Sequence, residues 1–208
     1  MLEAQLFVVG PPLVEHATGS DLTKEELGGA AVHKRSGAVE GIVSSEQEAF
    51  AAIREFLAHL RANVYTLPEA RPSSDGPERR DERLPSAVPR NRRRPYKLRP
   101  ILDSVFDRDS VFDYAGYGGS LYTGLARLDG HPLGVLATDP NRGATLTPEG
   151  ADAVVRLVDL CETFDLPIVS LADQAGVVIG LEANGAGPSV TAYGRSPRST
   201  RRGYPSPR

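Results

Sequence analysis

LYTGLARLDGHPLGVLATDP at residues 121–140 and LPIVSLADQAGVVIG at residues 166–180 decide how this chain folds. Residues 121–127 are apolar and β-prone. Asp129-Gly130 is a two-residue hairpin signal, and residues 133–137 form a second apolar run. Between the two quoted stretches, Thr147 is placed to cap a helix, with Pro148 at its first position and Glu149 in its first turn. Ala151, Val154, Val155, Val158 and Cys161 then recur at helical spacing, and Leu157, Leu160 and Phe164 widen that stripe. Leu166-Pro167 stops the helix, and residues 168–171 read as a short buried strand. The spacing predicts a strand-strand-helix-strand unit that ends in Asp173-Gln174-Ala175-Gly176. A strand that runs into a small-residue loop can present bare backbone N–H groups to an anion, which makes Ala175 and Gly176 the candidate anion loop.

Upstream, residues 98–106 carry Leu98, Ile101, Leu102, Val105 and Phe106 at the spacing of a short amphipathic helix. Gly118-Gly119 lacks the following G-K-[ST] and the preceding strand of a phosphate loop. Residues 67–94 are rich in proline, serine and charge with almost no apolar period, and read as an extended inter-domain segment. The run Arg92-Arg93-Arg94 reads as a solvated linker face, because no aromatic residues interleave with it. Before it, Ser45 is placed to start a helix with Ala49, Ile53, Phe56, Leu57 and Leu60 on one face, ending near Ala62. Residues 39–43 read as a strand, as do the apolar residues 6–9, with Gly10-Pro11-Pro12 as a break and a short helical piece at residues 14–18. Thr23-x-x-Glu26 is a capping-box pattern. Gly28-Gly29 reads on the residues alone as a helix stop that uses the left-handed region. His33 by itself is more often a hydrogen-bonded surface histidine than a catalyst.

The 208 residues suffice for one large or two small domains and for a real core. A net charge of −3 gives no whole-chain argument for nucleic acid or a membrane surface, and no apolar run is long enough to span a bilayer. The N-terminus lacks the basic region of a signal peptide, which leaves the cytoplasm as the default. The one cysteine, Cys161, excludes an intrachain disulfide framework and lies on the apolar helix stripe, where a buried structural thiol outweighs a nucleophile. The histidines at positions 16, 33, 59 and 131 show no metal-ligand spacing. Residues 184–208 change character: arginine, proline, serine and glycine supply 17 of the 25, and there is no acid. That segment carries +5 and leaves −8 on the rest, since −3 minus +5 is −8. It reads as disordered, either as a frameshifted tail or as a basic arm.

Several motifs in order carry a resemblance. GPPLVEHATG, EELGGAAVH and RSG occur in the first segment, the RRPY bridge follows, and the hairpin, helix and LPI strand close the series. This order resembles the carboxyltransferase subunit of biotin-dependent acyl-CoA carboxylases, the family of the acetyl-, propionyl- and methylcrotonyl-CoA enzymes. The resemblance implies an α/β, crotonase-like spiral of ββα units. It implies two partial half-domains, residues 1–66 and 95–183, joined by the extended linker 67–94. It implies carboxyl transfer between carboxybiotin on a partner carrier protein and an acyl-CoA of acetyl or propionyl type, without a metal. Implied partners are a biotin carboxylase, a biotin carboxyl carrier subunit and further copies of the carboxyltransferase chain. By the same resemblance Gly28, Gly29, Ala30 and His33 are candidate substrate-binding positions, and Ala175 and Gly176 remain the candidate loop.

The family's last loop reads P-G-F. Here Ala175-Gly176-Val177 keeps the glycine and loses the rigid proline and the aromatic ring. The family's two oxyanion glycine motifs, C-A-G-G-A and G-G-A-Y, fall outside the matching stretch. The sequence therefore leaves three readings: a carboxyltransferase component, an internal, non-catalytic or interacting remnant of such a complex, and a different crotonase-fold enzyme acting on acyl-CoA. The EELGGAAVH passage and the RRPY bridge argue against the third.

Overall fold

The computed structural model describes residues 4–177 apart from 64, 77, 92, 116–118 and 144. The expectation about residues 184–208 lies outside them.

The hairpin forms as its sequence dictates. Strands β2 (Leu121–Leu128) and β3 (His131–Thr138) pair antiparallel from Leu121↔Thr138 to Leu128↔His131. Asp129 and Gly130 both take positive φ, 51° and 78°, which matches the twist of the flanking strands. Glycine is needed at 130 for a second reason: a Cβ there would sit 1.8 Å from the Arg71 carbonyl oxygen. Helix α7 (Pro148–Phe164) starts on Thr147, whose hydroxyl accepts from Gly150 N–H at 3.1 Å, and ends on Asp165 in the left-handed conformation. Strand β5 (Ile168–Leu171) then lies parallel to β3, and β1 (Phe112–Ala115), which the sequence pattern did not reveal, pairs with β2. The sheet order is β1-β2-β3-β5.

The sheet is covered on both faces. Leu133, Val135 and Ala137 of β3 and Ala126 of β2 pack with Leu98, Leu102 and Phe106 around helix α6 (Arg99–Val105). On the opposite face, Leu125 packs with Leu157, Cys161 and Leu166 beneath α7. The alternation of β2 and β3 thus feeds two cores, and each buried leucine contributes about 1.5–3 kcal/mol relative to exposure. Helix α4 (Glu46–Ala58) joins the α7 side through Phe56, whose ring stacks on Tyr114 at 6.0 Å and tilts against Phe112 at 6.1 Å. Ser45 caps it as the sequence predicts, accepting from Glu48 N–H.

Several expectations need correction. The buried stripe of α7 is centred on Ala151, Ala153, Leu157 and Cys161, whereas Val155 is 38% exposed. Strand β5 is not buried: it is the sheet edge, and Ile168 is 39% exposed. Residues 6–9 and 39–43 form no strand. Beside the first, Gln5 makes an isolated bridge to Gly29, and Leu6 N–H donates to Gly28 O at 2.8 Å. Pro11-Pro12 is not a break but the first turn of helix α1 (Pro11–Thr18), where a missing N–H costs nothing. Helix α4 ends at Ala58, and its Ile53 and Leu57 are exposed, so only Phe56 and Leu60 of the expected face pack inward.

Residues 67–94 are largely irregular, with one helical turn, α5 (Leu84–Ala87). They are tied down, not free in solvent. Arg71 N–H donates to Gly130 O at 3.1 Å. Arg79 donates to the carbonyl oxygens of Ser104 and Phe106 at 2.8 and 2.6 Å. The Asp81 carboxylate accepts from the Ser104 hydroxyl at 2.6 Å, and its Arg83 partner holds its carboxyl well below the usual range.

Candidate functional site

The sheet's edge, α7 and a short second ladder enclose a cleft. Strand β4 (Thr145–Leu146) pairs parallel with β6 (Gly176–Val177), which returns the chain after β5 to the start of α7. The cleft beneath that return has a volume of about 270 Å³. Its floor is Leu121, Leu146 and Ala151, a buried apolar cluster with Leu136 and Val154 packed against it. Val155 stands on the α7 side. Thr138, Ser170 and Gln174 supply uncharged polar groups, and Ala172 and Gln174 belong to the loop that leaves β5. No lining side chain among the described residues is charged. The cleft lies at the carboxyl ends of the parallel pair β3 and β5, the side on which α/β sheets hold ligands.

Hydrogen bonds fix the loop that bounds this cleft. Asp173 N–H donates to Thr138 Oγ1 at 3.2 Å, and Gln174 Nε2 donates to Gly176 O at 2.9 Å. The Asp173 carboxylate accepts from Tyr96 Oη–H at 2.8 Å. Tyr96 O in turn accepts from Asn141 Nδ2 at 2.6 Å, and Asn141 sits in a 3₁₀ turn (Pro140–Arg142) capped by Asp139. Burial and the Asp173 carboxylate push the Tyr96 phenol up to about 12. The structure thus gathers Tyr96, Thr138, Asn141 and Asp173 at one place. Sequence reasoning placed Asp173 in the loop but did not join it to the other three, because 77 residues separate the tyrosine from its aspartate. The RRPY bridge was the one available signal for Tyr96.

The predicted site residues separate into two places. Ala175 and Gly176 adjoin the cleft through Gln174, and Gly176 is a ladder residue with φ 144°, paired to Thr145. Its glycine serves that backbone angle; a Cβ there would meet nothing within 4 Å. Gly28, Gly29, Ala30 and His33 sit at the corner between helices α2 (Lys24–Gly28) and α3 (Ala30–Ser36) and face the N-terminal residues. The capping box of Thr23 and Glu26 forms as predicted. The glycine pair does not take the left-handed region: Gly29 has φ −68°. Close approach demands it instead. A Cβ at Gly28 would lie 2.3 Å from Leu6 O, and one at Gly29 would strike Glu25. His33 Nε2 is hydrogen-bonded to Leu6 O. Cys161 is buried, and burial pushes its thiol up to about 11, so it is protonated and inert near neutrality.

A second cavity, about 220 Å³, lies among α4, the linker and the hairpin turn and is lined by charged groups of both signs. Arg127, 6% exposed, spans it: its guanidinium donates to the carbonyl oxygens of Ala58, Glu69 and Gly130. His59, 3% exposed, places Nδ1 2.8 Å from Glu55 O and Nε2 3.3 Å from Ser110 O. Among the described residues no group of His, Cys, Asp and Glu is arranged to hold a metal ion, and no helix is long and apolar enough to cross a membrane.

A mixed α/β sandwich with an uncharged cleft at the carboxyl ends of a parallel pair defines the class. The chain belongs to the carboxyl transferase domain family, which matches residues 1–187. It is 33% identical over 183 residues to the propionyl-CoA carboxylase carboxyltransferase subunit of Haloferax mediterranei, covering 86% of this chain and 35% of that one. It is 32% identical over 189 residues to the biotin-dependent acetyl-/propionyl-coenzyme A carboxylase beta5 subunit of Mycobacterium leprae, covering 86% and 34%. The transcarboxylase 12S structure, described as a hexamer with hydrolysed methylmalonyl-coenzyme A bound, superimposes with a TM-score of 0.81 at 27% identity over 88% of this chain and 37% of that one. The chain spans about a third of the length of these relatives.

Proposed function

We propose that this chain is a component of an acyl-CoA carboxyltransferase that moves a carboxyl group between carboxybiotin and an acyl-CoA of acetyl or propionyl type. The observation that carries the reading is the family match over residues 1–187, on a chain whose cleft is lined by Ala172 and Gln174, next to the loop that the resemblance singles out. In this reading the fold is a crotonase-like ββα spiral, with partial half-domains at residues 1–66 and 95–183 joined by residues 67–94. The chain works in the cytoplasm beside a biotin carboxylase, a biotin carboxyl carrier subunit and further copies of itself.

The apolar walls and uncharged rim of the cleft suit the acyl end of a thioester or the ring system of biotin. They offer no cation to the phosphates of coenzyme A, so the nucleotide end lies outside the cleft. Carboxybiotin supplies the carboxyl group when bound. The part of this chain is to exclude water from the acyl end and to hold the loop of residues 172–176 against it. Ala175 and Gly176 stay the candidate anion-facing positions, and Gly28, Gly29, Ala30 and His33 the candidate second binding element.

A specific observation favours a second, non-catalytic reading. Ala175 and Val177 replace the proline and aromatic ring of the family loop, and Gly176 is engaged in a strand ladder. The two readings separate in one experiment: carboxyl transfer from malonyl-CoA to free biotin, with and without a biotin carboxylase partner, alongside calorimetric titration of propionyl-CoA. Turnover supports the enzyme. Binding without turnover supports the interacting remnant. Neither binding nor turnover overturns both.

A further inference from the structure

Tyr96 lies just past the linker, far in sequence from the cleft, yet its hydroxyl reaches the loop that bounds it. The phenol donates to the Asp173 carboxylate at 2.8 Å, and the same residue's carbonyl is held at 2.6 Å by Asn141. Asp173 is the one side chain between β5 and β6 that anchors the loop outward, while its N–H is anchored inward on Thr138. Its neighbours Ala172 and Gln174 line the cavity. Pulling on Asp173 therefore moves the cavity wall.

We infer that Tyr96 is a positioning residue: its hydroxyl holds the loop of residues 172–176 over the cleft, so the chain just past the linker sets how closed the cleft is. The geometry supports the phenol as a permanent donor. It is half-buried, and the carboxylate beside it keeps it protonated across the ordinary pH range. A charge-assisted O–H···O⁻ bond of this kind is about twice as strong as a neutral one. The consequence for a ligand rests on the carboxyltransferase reading. The latch itself does not.

The test uses the full chain and amide hydrogen exchange. Tyr96→Phe removes only the hydroxyl and keeps the ring packed. It is expected to raise exchange at residues 173–176 about tenfold while leaving β2 and β3 unchanged. Asp173→Ala, on an exposed loop, should do the same, and Asp173→Asn, which keeps a neutral acceptor, should fall between. Unchanged exchange at residues 173–176, or an equal rise across the whole sheet, overturns the inference. Propionyl-CoA titration is run on the same proteins. A weaker Kd in Tyr96→Phe, with loop exchange raised, ties the latch to the ligand. Absence of binding in every protein, with loop exchange still raised, leaves the latch standing and removes the carboxyltransferase reading.

Discussion

Arg127 and His59 are the residues on which three separate stretches of chain converge. Among the described residues no carboxylate is in hydrogen-bond contact with Arg127; it satisfies carbonyl oxygens of α4, the linker and the hairpin turn. Arg127→Met should therefore cost about 3 kcal/mol, since it strands several buried acceptors together, and urea unfolding would measure the loss. His59 faces backbone carbonyl oxygens on both ring nitrogens, but burial dominates and pushes its pKa down, with the Arg127 and Arg71 charges adding to the fall. Glu55 on its own helix, and Asp75, Asp107, Arg108 and Asp109 across the cavity, complete its charged surroundings. The sign follows. The unfolded chain binds the His59 proton more readily than the folded one, so its contribution is intact above the ordinary histidine range. It is lost as pH falls through that range toward the lowered folded value. The thermal midpoint should drop on acidification from pH 7 to 5, and His59→Gln should flatten that slope. Equal slopes in the two proteins would reject the assignment.

Between α7 and the sheet, a glycine and a cysteine set the distance. A Cβ on Gly134 would lie 2.5 Å from Cys161 Sγ and 3.5 Å from Leu157 and Ile168. Gly134→Ala should destabilise by about 1–3 kcal/mol through overpacking, and Cys161→Ala should recover part of that loss, a coupling that a double-mutant cycle reads directly. The elements themselves were largely legible. Asp129-Gly130 and Thr147-Pro148 are local signals, and both acted locally as read. The stripe of α7 drifted because periodicity locates an apolar face but not which half of it meets the sheet; Val155 borders a cleft instead. Strand β1 was missed because its alternation, Phe112-Asp113-Tyr114, is too short to stand out as a period, and residues 39–43 look strand-like yet find no partner edge. The glycine pair does end helix α2 as read, but not through the left-handed region, since close approach of Leu6 leaves no trace in local sequence.

At the scale of the molecule, the linker is what the sequence described least well. Its composition reads as solvated, whereas Arg71, Arg79 and Asp81, with Tyr96 just beyond it, each make a specific long-range bond. The cleft was equally invisible, because its walls come from β2, β3, β4, α7 and β5 and converge only in the fold. The family resemblance, by contrast, rested on ordered short motifs and is matched across residues 1–187. Of the two occupants proposed for the cleft beside α7, the acyl end of a coenzyme A thioester is the one that a direct binding measurement reaches. The direct measurement is calorimetric titration of propionyl-CoA into the full chain and into Val155→Phe. That substitution places a ring at the mouth of the cleft from a position already 38% exposed, so the core is spared. The account predicts saturable binding that Val155→Phe weakens at least tenfold with the thermal midpoint unchanged, and binding of equal strength in the two proteins would contradict it.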